Sequence, residues 1–135
     1  VEEAVVDTNV LVYDTLEDSV FHEKAASILD ALGKSLLPSV VIEEFLLVLE
    51  QLRVDWELVG RKLEEILSWG ELVPVVREDF EFSLSMVREE KISFRRFNDK
   101  LILSVAMRRK LPLLTFDAEL RKEGMRHGVR VFPEL

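Results

Sequence analysis

AVVDTNVLVY, residues 4–13, carries an acid in the middle of an apolar run. Ala4–Val6 is short, apolar and rich in β-branched residues, and reads as a buried strand. Residues 9–14 read as a short helix. Asp7 therefore falls where a strand hands over to a helix. It could be an N-cap there, or it could hold a ligand. The choice depends on which other carboxylates the fold brings to the same place.

Working outward, apolar positions 21, 25, 28, 29 and 32 predict a helix over 19–32, stopped by Gly33. SLLPS (35–39) reads as a second strand, with Ser39 the N-cap of an apolar helix over 40–53. Asp55 caps a further helix to about Ser68, ended by Gly70. ELVPVV (71–76) is a third strand, 78–90 a helix and KISFRRF (91–97) a loop. Asn98 caps a helix to about Lys110, and LPLLTF (111–116) is a fourth strand. Asp117 opens a short helix that Gly124 ends, and VRVFP (129–133) is a fifth strand. Short buried strands alternating with helices predict a parallel sheet covered on both faces. No repeat or linker divides the chain, so residues 1–135 are expected to form a single domain.

Composition narrows the chemistry. There is no cysteine and only two histidines, His22 and His127, which excludes thiolate sites and disfavours zinc. A bound metal would sit on oxygen ligands and be a hard cation such as Mg²⁺ or Mn²⁺. No apolar run approaches the length of a membrane span and no basic leader precedes one, so a cytoplasmic protein is expected. The net charge of −8 argues against a broad nucleic-acid-binding surface, but not against an acidic metal site with local bases.

Ligands of open parallel sheets bind outside the carboxyl ends of the strands. Asp7 and Asp117 follow the first and fourth strands, and Asp99 lies in the first turn of the helix before the fourth. Each could simply cap a helix or favour its positive end. Glu44 lies one turn into the helix after the second strand. Val40, Val41, Leu47 and Val48 border it on the helical wheel, whereas Glu43 shares a polar stripe with Glu50. A carboxylate beside an apolar face needs water, a partner or a cation. The chain has two asparagines, Asn9 and Asn98, and both adjoin candidate acids; so do Thr8 and Thr115. Asn98 is explained by capping, so Asn9 is the extra support.

VVDTNVLVY, PSVVIEEFLLVL, FNDKLILSVA and LPLLTFDAEL together resemble the PIN domain, in particular the VapC-type toxin ribonucleases. The resemblance runs from Ala4 to about Val131. It implies an α/β/α sandwich whose parallel sheet has about five strands in the order 3-2-1-4-5. It also implies an acidic site of Asp7, Glu44, Asp99 and Asp117, supported by Asn9 and Thr115, with Glu43 a rival for Glu44 and Glu119 a loose match to a further acid.

That site would be a metal-dependent endoribonuclease using Mg²⁺ or Mn²⁺. Asp7 and Asp99 would be direct ligands, with Asp117 and Glu44 holding the ion's waters or a second ion. Arg95 and Arg96, just ahead of Asp99, are candidates for contacting RNA phosphate; a solvated loop is the plain alternative. Arg108, Arg109 and Lys110 are better explained by a helix C-terminus. VVIEEFLLVL (40–49) is apolar almost all round, so it is either fully internal or meets another chain. Phe80, Phe82, Trp56 and Trp69 add bulk that a small core need not absorb. The resemblance favours a homodimer and a VapB-type antitoxin partner.

Other classes fit less well. A haloacid-dehalogenase-like phosphatase needs a second Asp two positions after the first, where this chain has Asn9. A receiver domain wants paired acids at the first strand and a lysine near the fifth. The alternatives that remain are an RNA-processing nuclease without an antitoxin and a non-catalytic RNA- or protein-binding scaffold, which usually lacks one or more site acids.

Overall fold

The computed structural model describes residues 2–134. Five strands form one all-parallel sheet in the order β3-β2-β1-β4-β5. They are β1 (Glu3–Val6), β2 (Lys34–Pro38), β3 (Gly70–Val73), β4 (Leu113–Leu114) and β5 (Val131–Phe132). The helices are α1 (Thr8–Thr15), α2 (His22–Ala31), α3 (Ser39–Gln51), α4 (Trp56–Trp69), α5 (Arg77–Glu90), α6 (Phe97–Arg109) and α7 (Ala118–Arg126). A 3₁₀ turn, Phe94–Arg96, occupies the expected loop and runs straight into α6.

Adjacent strand residues point to opposite faces of a sheet. Ala4, Val5 and Val6 are all fully buried, so both faces of β1 are covered. That is the α/β/α sandwich the alternation of elements predicts. Val5 pairs with Leu36 on one side and Leu113 on the other, which makes β1 the centre of the sheet. The helix α6 runs against β1 and is buried continuously from Lys100 to Ala106.

Several boundaries differ from the sequence expectation. The strands β4 and β5 are two residues each, although hydrogen bonds continue past them: Val5 N–H donates to Pro112 O at 2.9 Å and Thr115 N–H to Phe132 O at 3.0 Å. The strand β3 stops before Pro74, which has no N–H for the ladder. Gly33 does not cap α2, because Leu32 ends that helix in extended conformation and Gly33 N–H bonds Glu2 O at 2.7 Å. Ser39 is not an N-cap but the first residue of α3, and its hydroxyl accepts the Val75 N–H at 3.0 Å. Gly124 lies inside α7 rather than ending it. A Cβ there would come within 2.7 Å of Val131 Cγ2, so glycine permits the close approach of α7 to β5.

The helix α3 buries one stripe, Val41, Phe45 and Leu49, and leaves Leu47 in solvent. Trp56 (83% exposed) and Phe80 (49%) also lie outside the core. The fully internal reading of 40–49 is therefore not what the chain does. No helix among the described residues is long and apolar enough to cross a membrane.

Candidate active site

The strand β1 delivers Asp7 to the carboxyl edge of the sheet, where its N–H donates to Leu114 O at 2.9 Å. Asp7 is extended and caps α1, so the capping role is real. The residue is only 5% exposed, and its Oδ1 accepts the Thr8 N–H at 2.7 Å. Oδ2 accepts the Thr115 hydroxyl, also at 2.7 Å. Burial pushes the Asp7 pKa up to about 7, and the nearby charges of Asp99 and Glu44 add to the rise; the bonds from Thr115 and Thr8 oppose it without cancelling it.

Glu44 enters from α3. Its Oε1 accepts the Thr8 hydroxyl at 2.7 Å, and its Oε2 accepts the Asn98 amide at 3.1 Å. Glu43, its neighbour, is exposed. Asn98 is thus no cap. The 3₁₀ turn starts α6 at Phe97, two residues early, and the Asn98 side chain is left to reach across to Glu44.

Asp99, in the first turn of α6, has Arg96 Nε at 3.1 Å from Oδ2, a close ion pair that falls short of an aligned hydrogen bond. Burial again raises its pKa, to about 6; Arg96 pulls it down, while Asp117, Glu44 and Glu123 push it up. Asp117 caps α7, taking the Glu119 N–H at 2.8 Å, and its own N–H donates to Thr115 Oγ at 3.0 Å. Asn9 Oδ1 accepts the Phe116 N–H at 3.3 Å and so pins the start of α1 to the end of β4.

Asp7, Glu44, Asp99 and Asp117 line one cavity of about 330 Å³, together with Thr8 and Asn9. Val12, Tyr13 and Val48 form its apolar wall. Glu119 is exposed and does not line it. Arg95 is exposed and does not line it, whereas half-buried Arg96 is held by Asp99 and by Glu123 at 3.2 Å. Arg108 and Arg109 are occupied elsewhere, the first by buried Asp79 at 3.0 Å and the second by Glu71 at 3.1 Å.

The donor set is all carboxylate, amide and hydroxyl oxygen, which suits a hard cation. Among the described residues no three His, Asp or Glu side chains stand close enough to enclose an ion by themselves. Mg²⁺ does not need such a cage, because it keeps several waters and takes one or two carboxylates. Two acids with raised pKa values facing one cavity are the stronger observation, since a cation would relieve both their burial and their mutual repulsion.

Sequence reasoning missed the support behind the site. Lys100 is fully buried, and its Nζ lies 2.9 Å from Glu90 Oε2 and 2.8 Å from Glu123 Oε2. Glu123 in turn holds Arg96, which holds Asp99. The only signal was a lysine beside the apolar run Leu101–Leu103.

Fold and site together define an α/β sandwich with a carboxylate-lined cleft at the carboxyl edge of its central strands. The chain belongs to the PIN domain family, whose model matches residues 4–123. Its fold is similar to that of VapC20 from Mycobacterium tuberculosis, a toxin that cleaves the sarcin-ricin loop. That match has a TM-score of 0.78 at 16% identity, over 90% of this chain and 95% of that one. It is also similar to VapBC2 from Rickettsia felis, solved with a DNA fragment of its promoter (TM-score 0.71, 18% identity, 96% and 97% covered). FitAcB from Neisseria gonorrhoeae is a third such structure (TM-score 0.68, 19% identity, 96% of both chains). No curated protein sequence matches the chain.

Proposed function

We propose that the chain is a metal-dependent endoribonuclease and the toxin of a toxin–antitoxin pair, working as a homodimer in the cytoplasm with a VapB-type antitoxin. The observation that carries the activity is the gathering of Asp7, Glu44, Asp99 and Asp117 into one cavity. The kind of substrate and partner is suggested by the family and by the toxins of like fold.

Asp7 and Asp99 would hold Mg²⁺ or Mn²⁺, with Asp117 and Glu44 beside them. When bound, the cation supplies charge to offset the phosphodiester and acidifies water for attack on phosphorus. The chain's own residues prepare that chemistry. Thr115 and the Thr8 N–H aim the two Asp7 oxygens. Thr8 and Asn98 fix Glu44 from both sides. Arg96 steadies Asp99, and exposed Arg95, the residue before Arg96, would meet phosphate.

Cleavage of a mixed RNA pool tests this. Cutting in Mg²⁺ or Mn²⁺ that stops with EDTA and is lost in Asp7→Asn and Asp99→Asn is the expected result. Cutting retained by both variants would place the activity elsewhere. Purification of the natively expressed protein with a small tightly bound partner separates a paired toxin from a free-standing RNA-processing nuclease.

A further inference from the structure

Three phenylalanine rings stand in a row around the 3₁₀ turn that leads into α6, the helix that carries Asp99. Phe97 is half-buried, with Phe94 on one side (centroids 6.3 Å apart, planes at 35°) and Phe80 on the other (5.9 Å, 36°). The outer two rings are in solvent, Phe94 at 65% and Phe80 at 49%. Such exposure has a cost in water that a small chain normally avoids by turning the ring inward. Here the backbone prevents that. Ser93 caps the 3₁₀ turn, its hydroxyl accepting the Arg95 N–H at 3.1 Å, and fixes Phe94 on the outside. The same turn leads into α6, where Arg96 touches Asp99.

The charge around these rings is the reverse of the chain's. Residues 88–97 carry Arg88, Lys91, Arg95 and Arg96 against Glu89 and Glu90, in a chain of net charge −8. Glu90 is already held by Lys100. Among the described residues Arg88, Lys91 and Arg95 have no acidic partner within ion-pair distance, and all three are exposed. Trp56, the other strongly exposed aromatic, lies instead between Asp55 and Glu57.

We propose that Phe94, backed by Phe97 and Phe80, is a stacking platform for an unpaired base of single-stranded RNA, with Arg95 and Lys91 on its phosphates. The platform rests on the ribonuclease reading above and names the form of substrate that site takes. An exposed ring next to unpaired cations is what a splayed nucleotide recognises, since every base has a flat π-face and every linkage a charge. A second copy of the chain suits the patch less well. A twofold contact centred on the turn would bring Arg95 and Lys91 of both copies together.

The test uses the full chain in EDTA and a fluorescently labelled single-stranded oligoribonucleotide, followed by anisotropy. An abasic strand of equal length runs in parallel. Phe94→Ala is expected to weaken the base-bearing strand about tenfold, to leave the weaker abasic strand unchanged, and to be rescued by Phe94→Trp. Trp56→Ala is the control and should bind like the parent. Phe94→Ala binding the oligonucleotide as the parent does, while the parent cuts RNA in Mg²⁺, overturns the platform and leaves the nuclease standing. Equal losses on both strands also overturn it. A smaller species on gel filtration with unchanged RNA binding makes the patch an interface between copies, which overturns it too. A parent that neither binds nor cuts RNA removes the nuclease reading and the platform together.

Discussion

The Thr115 hydroxyl donates to Asp7 Oδ2 at 2.7 Å, and Thr115 Oγ in turn accepts the Asp117 N–H at 3.0 Å. One buried side chain just past the fourth strand thus joins acids from both ends of the chain. Its bond favours the charged form of Asp7, against the burial that disfavours it. The site is held by such neutral donors as much as by charge: the Thr8 hydroxyl and the Asn98 amide each donate to one Glu44 oxygen.

Removal of the Glu44 partners should therefore cost activity more than stability. Thr8→Val or Asn98→Ala is expected to lower RNA cleavage by about 10–100-fold, the usual effect of losing a group that orients a metal-site carboxylate. In a Glu44→Gln background the same substitutions should add little, because the group they orient is gone. Initial rates of the single and double variants measure this.

Protonation gives a second expectation. Asp7 rises from 3.8 to about 7 and Asp99 from 3.8 to about 6 on folding, so the folded chain binds more protons than the unfolded chain between those values. The cation-free protein should lose stability as pH rises from about 4 to 7, where these acids become charged in the fold. A cation competes with those protons, so its stabilisation should grow over the same range. Thermal melts at pH 5.5 and pH 8, with EDTA and with Mn²⁺, show the sign. A Mn²⁺ shift larger at pH 5.5 than at pH 8 would contradict it.

The buried ion network behind Asp99 is a matter of stability. Lys100→Met leaves Glu123, only 4% exposed, without its closest cation. The loss should be about 3 kcal/mol, the low end for breaking a buried pair, because Glu123 keeps Arg96 as a cation partner. The double variant Lys100→Met, Glu123→Met should recover part of it. Denaturant unfolding of the two variants tests the difference.

The legible parts of this fold share a cause. The strands β1 and β2 are apolar on consecutive residues because both faces are covered, and Asp55 and Asp117 mark helix starts by the caps they make. The strand order was not written in any periodicity; it came with the family resemblance. The helical wheel separates Glu44 from Glu43 because one borders the apolar stripe, and the structure places Glu44 in the cavity and Glu43 in solvent. Asn98 was misassigned because a cap and a cross-helix donor look alike at a helix start, and only the 3₁₀ turn decides between them. Lys100 and Glu123 were invisible because a charged pair is buried only when tertiary packing joins two distant helices. Phe94 was hidden in what reads as a loop.

The most direct measurement is calorimetric titration of Mn²⁺ into the purified, chelator-treated protein at pH 8, beside Asp7→Asn and Asp99→Asn. One or two saturable sites in the parent, abolished or weakened at least tenfold in both variants, is the result expected of an acid cluster built to hold a cation. Equal binding by parent and variants, or none by the parent, would contradict it and leave Asp7 as the cap of α1.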